Sequence, residues 1–220
     1  MRNRFDRQLS TLNDELIEMG SMIEKSIETA IKALVNQDVD LARHAIEADE
    51  EIDRQERIIE DLCLKLLLQQ QPVAKDLRLI SSALKMITDM ERIGDHASDI
   101  AEIIPHLVTV RKERDPAVSQ AIAMGRKAYQ MILDAMDALT AEDEIAARRV
   151  IAADDAVDYD FNAIKHTLAQ EIAADPAKVD AALDLLMVIK YLERIGDHAV
   201  NVAEWVQFVR TGRYKDESMF

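Results

Sequence analysis

The stretch Glu91-Arg92-Ile93-Gly94-Asp95-His96-Ala97 occurs a second time in the chain, as Glu193-Arg194-Ile195-Gly196-Asp197-His198-Ala199. The two copies are identical over seven residues and lie 102 positions apart in a chain of 220 residues. An identity of this length rarely arises by chance, so it indicates a tandem duplication of about half the chain. We therefore expect two similar halves, with the two copies at equivalent positions.

The composition favours long helices and an all-α fold. Hydrophobic residues make up 49% of the sequence but aromatic residues only 4%, and there are only five Gly and four Pro residues. Apolar residues recur at intervals of three and four from Phe5 to Leu34, as in an amphipathic helix. The same periodicity predicts six helices and no strand. The helices cover about residues 5–34, 39–70, 74–110, 116–139, 142–173 and 176–209.

The six helices fall into two groups of three. Ala135-Met136-Asp137-Ala138-Leu139 echoes Ala30-Ile31-Lys32-Ala33-Leu34 at an offset of 105 residues, so the duplication extends beyond the repeated motif. We predict two pseudo-symmetric three-helix bundles, over residues 1–112 and 116–210. A polar linker at Arg111–Pro116 joins them, and residues 211–220 form a polar, frayed tail.

Charge and cysteine content limit the classes of function. The net charge of −15 argues against a nucleic-acid partner, because phosphate binding needs a basic face. The only cysteine, Cys63, cannot form an internal disulfide, which favours a reducing cytoplasm. No apolar stretch is long enough for a membrane span, and no signal peptide is predicted.

Each copy of the motif places a row of acidic residues on the face of a helix that should also face the core. At 100° per residue, Glu91, Asp95, Asp99 and Glu102 continue the apolar stripe of the third helix, and Glu193, Asp197, Asn201 and Glu204 continue that of the sixth. Stacked carboxylates repel one another, so a cation should compensate them. Arg92 and Arg194 project about 100° away and are not expected to be their partners.

Acidic pairs also occur on the second and fifth helices, where Asp49 and Asp53 correspond to Asp154 and Asp158. If neighbouring helices pack side by side, four carboxylates converge in each half, as in carboxylate metal sites of helical bundles. Oxygen ligands of this kind suit Mg²⁺, Ca²⁺, Mn²⁺ or iron. A solvated acidic patch remains an equal alternative in so acidic a chain. His96 and His198 lack the ligand spacing of ferritin-type sites and are expected to pack against a neighbouring helix.

The sequence contains no phosphate-binding glycine loop, no H-E-x-x-H and no G-x-S-x-G motif. We therefore predict that the protein is not an enzyme. Two alternatives stay open: a carboxylate-bridged multinuclear metal enzyme acting as hydrolase or oxidase, and a purely structural helical partner without metal.

The doubled E-R-I-G-D-H-A motif, the Asp-x-x-x-Asp pairs and the segment Gln70–Arg78 resemble the PhoU family of phosphate-transport regulators over about residues 5–210. The resemblance implies a cytoplasmic protein that restrains phosphate uptake and phosphate-regulon signalling. Its partners would be the ATPase subunit of the phosphate ABC transporter and the sensor histidine kinase, which would place it peripherally at the inner face of the membrane. A homodimer is also expected.

The resemblance further implies metal ions, as an iron cluster or as Mg²⁺, Mn²⁺ or Zn²⁺. The implied ligands are Asp49, Asp53, Glu91, Asp95, Asp154, Asp158, Glu193 and Asp197, with Asp99 and Asn201 as additional candidates. Asn201 replaces an acid of the first half, so we expect the second site to hold fewer ions or to bind them more weakly.

Overall fold

Six long helices form the structure, a computed structural model that describes residues 2–70, 72–111, 115–215 and 217–218. The helices are α1 (Arg2–Asn36), α2 (Val39–Gln70), α3 (Ala74–Val110), α4 (Pro116–Ala141), α5 (Glu144–Ala174) and α6 (Val179–Thr211), the last preceded by a 3₁₀ turn at Pro176–Lys178. The predicted all-α class, with three helices in each half, is confirmed. Residues 112–114 of the predicted linker and Gln71 lie outside the described residues.

The two halves begin their second helix in the same way, as the duplication predicts. Asp38 Oδ1 accepts hydrogen bonds from the backbone N–H groups of Asp40 and Leu41. Asp143, at the equivalent position, caps α5 through the N–H groups of Ile145 and Ala146. The residue before each cap has a positive φ, 52° at Gln37 and 48° at Glu142. The αα-turn is therefore conserved between the halves in both its cap and its backbone conformation.

Helices α3 and α6 pack against each other at the centre of the molecule and join the two halves. They run antiparallel, because Asp89 of α3 contacts Asn201 of α6 while His106, further along α3, pairs with Asp184 near the start of α6. Helices α2 and α5 pack on the outer sides of α3 and α6. One hydrophobic core runs through both halves, from Leu12 and Ile23 to Val202 and Phe208.

The C-terminal segment differs from its predicted frayed and strand-free state. Helix α6 continues through Thr211, and β1 (Arg213–Tyr214) pairs antiparallel with β2 (Glu217–Ser218). The Tyr214 ring stacks on Trp205 with 4.1 Å between ring centroids. The described residues of this segment are therefore ordered where a frayed tail was predicted, and the two-residue strands are too short to show an alternating pattern in the sequence.

Candidate metal centre

The structure brings acidic residues of α2 and α3 together in the first half. We call Asp49, Asp53, Glu91 and Asp95 the first cleft. One carboxylate oxygen from each of Asp49, Asp53 and Asp95 lies within 4.8 Å of the other two. The spacing of four residues within each pair places both carboxylates on one helix face, and the packing of α2 on α3 makes the two faces converge.

Asp49 is the residue of the first cleft whose pKa is shifted most. Its Oδ1 is buried and has no hydrogen-bond partner among the described residues. Burial raises the pKa of Asp49 to about 6, and the negative charges of Asp95 and Asp53 add to the effect. Burial and the charge of Asp95 also raise the pKa of Glu91. A buried carboxylate oxygen without a partner is a position where a cation would be stabilised.

The glycine of the repeated motif allows the aspartate of the neighbouring helix to come this close. A Cβ on Gly94 would lie 2.9 Å from Ile52 Cδ1 and 3.3 Å from Asp49 Oδ1. A Cβ on Gly196 would lie 3.0 Å from Asp154 Oδ1. This role of the glycine was not predicted from the sequence, although a glycine repeated inside two helical patterns signals close packing.

Substitution of Gly94 by Ala is expected to destabilise the protein by about 1–3 kcal/mol, because the added methyl group overpacks the contact with the buried Ile52. Gly125 is the matched control, since a Cβ there would meet Leu192 at an ordinary 3.5 Å. Gly125→Ala should stabilise α4 by about 0.5–1 kcal/mol through helix propensity. Urea unfolding of both variants measures the difference, and an equal gain from both would contradict the close approach.

We call Asp154, Asp158, Glu193 and Asp197 the second cleft. Asp154 Oδ1 is again buried and without a hydrogen-bond partner in the described chain, and burial raises the pKa of Asp154 to about 6 with Asp158 contributing. No three potential ligands of this cleft meet the spacing found in the first, within the residues that the structure describes.

A lysine distinguishes the second cleft from the first. Lys190 Nζ lies 2.5 Å from Glu193 Oε2. The equivalent residue in the first half is Thr88, whose hydroxyl donates to the Leu84 carbonyl instead. Glu193 is therefore paired with a lysine of its own helix, whereas Glu91 has no lysine at the corresponding position and is paired with Arg92 instead.

The expectation that Arg92 avoids the acidic face was wrong. Its Nη1 lies 2.7 Å from Asp95 Oδ2, and its Nε lies 3.4 Å from Glu91 Oε2. The long side chain bends back along the helix and reaches the carboxylate three residues on, despite the angle at which its Cα–Cβ bond leaves the helix. Arg57 also approaches Asp53, at 3.5 Å. These arginines compensate the rim of the cleft, while Asp49 Oδ1 is left without a partner.

The two motif histidines pack between α3 and α6, as predicted. The His198 Nδ1 lies 2.9 Å from Asp89 Oδ1, and His96 stacks on Tyr191 with 5.4 Å between centroids. Asn201 Nδ2 donates to the same Asp89 oxygen over 2.9 Å. An aspartate at 201 would place a second negative charge against Asp89, so the amide has a packing reason to replace the acid at this position.

The donor set of the first cleft fits a hard cation. Its converging atoms are all carboxylate oxygens, which suit Mg²⁺, Mn²⁺ or iron, whereas structural zinc sites are dominated by Cys and His ligands. The unpartnered Asp49 oxygen supports the same fit.

Two segments of the chain, residues 16–104 and 122–206, match the family model described as PhoU domain. The chain belongs to the PhoU family. The phosphate-specific transport system accessory protein PhoU homologue of Clostridium acetobutylicum is 40% identical over 216 residues, covering 98% of both chains. The Escherichia coli K12 accessory protein PhoU is 31% identical over 96% of this chain and 86% of its own. The crystal structure of Pseudomonas aeruginosa PhoU superimposes with a TM-score of 0.91 at 33% identity, covering 95% of this chain and 100% of that one.

The match to the PhoU family model confirms the family that the sequence motifs resemble. The prediction that the chain is not an enzyme is also confirmed, because the matched relatives are named as accessory proteins of a transport system. None of the helices in the described ranges is long and apolar enough to cross a bilayer. The ligand roles of the acidic residues stay predictions.

Proposed function

We propose that this protein is a cytoplasmic regulator that restrains phosphate uptake and phosphate-regulon signalling. It acts as a metal-binding helical adaptor between the ATPase subunit of a phosphate ABC transporter and a sensor histidine kinase, and it works as a homodimer. The observation that carries the proposal is the match over nearly the whole chain to proteins named as phosphate-specific transport system accessory proteins. The molecule would act by presenting surfaces, with no chemistry of its own.

In this proposal the first cleft is the principal metal site. Asp49, Asp53 and Asp95 would hold the cation, with Glu91 beside them. The second cleft would bind more weakly because, among the described residues, no three of its potential ligand atoms lie as close together. A bound cation would neutralise the cleft and provide positions for phosphate oxygens, which the bare carboxylates repel. Asp49 of α2 and Asp95 of α3 would hold the cation from two helices, whose close approach Gly94 allows.

Regulation is tested in cells that lack their own PhoU and carry a reporter driven by a phosphate-regulon promoter. The parent protein is expected to repress the reporter in phosphate-rich medium. Asp49→Asn combined with Asp95→Asn should lose repression while it stays helical. An exposed control, Asp61→Asn, should repress like the parent. A parent that fails to repress would contradict the regulatory role, while full repression by the double variant would contradict the metal role alone.

Adaptor function and assembly are tested with purified components. We expect the parent to bind the transporter ATPase subunit and the cytoplasmic part of the kinase in separate titrations, and sedimentation to give the mass of a dimer. Failure to bind either component would contradict the adaptor proposal. Elemental analysis of chelator-free protein measures the metal directly.

A further inference from the structure

A groove of about 450 Å³ opens between α1 and α2, on a side of α2 other than that of the first cleft. Met22, Leu41 and Ala48 give it apolar walls, and the exposed residues Lys25 and His44 also line it. The groove residues of α2 recur at intervals of three and four, out of phase with Asp49 and Asp53. Its volume lies in the range of pockets that bind small molecules.

A buried hydroxyl in the wall of this groove has no partner. Ser26 is 1% exposed, and its Oγ makes no hydrogen bond within the described chain. A helical serine usually satisfies its hydroxyl on a backbone carbonyl or on water, and a buried hydroxyl left unpaired is unfavourable. A ligand that offers it an acceptor would remove that penalty.

The duplication explains why the groove is present in the first half. At the offset of 105 residues Ser26 corresponds to Met131, which is buried in the core. The equivalent groove of the second half, lined by Asp134, Ala146 and Arg149, has only about 200 Å³. The first half therefore has a small polar residue, Ser26, where the second half has the large Met131. The larger groove and the buried hydroxyl are both found in the first half.

The side chains of the groove that are available to bind a charged ligand are basic. Neither the Lys25 ammonium nor the His44 ring has a hydrogen bond or ion pair to any described residue. Glu51, the acidic residue of the lining, is paired with Arg54 at 3.1 Å. The chain as a whole has a net charge of −15, so an unpaired lysine is an unusual local positive charge. Beside an apolar groove it favours a ligand that has a negative group and an apolar part.

We propose that the α1–α2 groove is a binding site for a small organic anion with an apolar tail. The tail lies against Met22, Leu41 and Ala48, and the anionic head accepts a hydrogen bond from Ser26 and pairs with Lys25. Inorganic phosphate lacks the apolar part and is not the ligand of this groove. The site does not depend on metal in the acidic clefts.

Calorimetric titration of the full chain with octanoate tests the site, in the presence of chelator. We expect saturable binding with one octanoate per chain. Octylamine, which has the same tail and the opposite charge, and inorganic phosphate should each bind at least about tenfold more weakly. Equal affinity for octylamine or for phosphate would overturn the proposal.

Ser26→Met introduces the residue that the second half carries at the equivalent position, and it should reduce octanoate affinity at least about tenfold by filling the groove. Lys25→Gln removes the exposed charge without touching the core, and it should remove the preference for octanoate over octylamine. Ser119→Met, on the exposed surface of α4, is the matched control and should bind like the parent. Unchanged octanoate binding in Ser26→Met and Lys25→Gln would overturn the proposal. If Ser26→Met does not fold, Ala48→Phe fills the groove from the opposite wall.

Discussion

In the presence of chelator, Asp49→Asn is expected to stabilise the protein by about 1–2 kcal/mol at about pH 7. The pKa of Asp49 is raised to about 6 in the folded state, so at pH 7 the folded protein holds this carboxylate ionised against burial and neighbouring charges. The asparagine amide has nearly the same shape and no charge. Thermal unfolding of metal-free parent and variant measures the gain.

The sign of the pH dependence follows from the raised pKa. A carboxyl group with a raised folded-state pKa contributes stability that is fully present below its unfolded value of about 3.8 and is lost as the pH rises through about 6. The metal-free parent should therefore lose stability between about pH 4 and pH 7 relative to Asp49→Asn, and the two should be equally stable near pH 4. A variant that is less stable than the parent at pH 7 in chelator would contradict the repulsive cluster.

In the presence of Mn²⁺ the parent should become more stable than Asp49→Asn. A cation present at about 100 times its Kd stabilises the parent by about 2.7 kcal/mol, because it binds the folded state alone. Asp49→Asn replaces one of the three converging carboxylates by a neutral amide and should gain much less from Mn²⁺. Asp61→Asn, an exposed change on the same helix, should shift stability by less than about 0.5 kcal/mol in both conditions. Equal stabilisation of parent and Asp49→Asn by Mn²⁺ would exclude Asp49 as a ligand.

The same experiment on Asp154→Asn compares the two clefts. Its gain in chelator should equal that of Asp49→Asn, because burial raises both pKa values to about 6. Its loss of metal stabilisation should be smaller, since the described ligand atoms of the second cleft do not converge as those of the first cleft do.

The helices and the placement of each acidic pair on one helix face could be predicted from the sequence because both follow from local rules. The period of 3.6 residues places Asp49 and Asp53 on one face, and the duplication supplies the same arrangement twice. The caps at Asp38 and Asp143 are likewise local, since each side chain bonds N–H groups two and three residues ahead. Every one of these features depends on spacing along one helix.

Distances between helices could not be predicted in this way. How closely Asp49 approaches α3 depends on the absence of a side chain at Gly94, which periodicity does not register. The partner of Arg92 depends on the rotamer of a long side chain and not on the direction of its Cα–Cβ bond. The difference between Lys190 and Thr88, in contrast, was available from the aligned halves, because it is a difference in sequence at equivalent positions.

Arg111 was predicted to be part of a polar linker, but its side chain is buried at the junction between the two halves. It follows the last residue of α3, and its side chain is only 3% exposed. Its guanidinium donates to the Ala181 carbonyl over 3.1 Å, to Asp115 over 2.7 Å and to Glu171 over 2.8 Å. The end of the first half is thereby fixed to the starts of α4 and α6 and to the end of α5. The buried charge organises the junction between the halves.

Arg111→Met is expected to lower the free energy of unfolding by about 3–5 kcal/mol, because it leaves Asp115 and Glu171 without their shared cation. Asp115 also caps α4 by accepting hydrogen bonds from the N–H groups of Ala117 and Val118. Loss of its ion pair with Arg111 should therefore also destabilise the first turn of α4. Arg111→Lys keeps the charge but loses the planar fork that reaches three acceptors, and its loss should be intermediate. Urea unfolding measures all three proteins.

Arg148→Met provides the matched control, since Arg148 makes an ion pair of the same length with Glu144 but its side chain is 69% exposed. Its removal should change stability by less than about 1 kcal/mol, and that change should shrink further in high salt. The Arg111 effect should persist in salt, because counterions do not enter a buried junction. A loss below about 1 kcal/mol for Arg111→Met would mean that core packing alone joins the halves, and that the ion pairs of Arg111 with Asp115 and Glu171 add little to it.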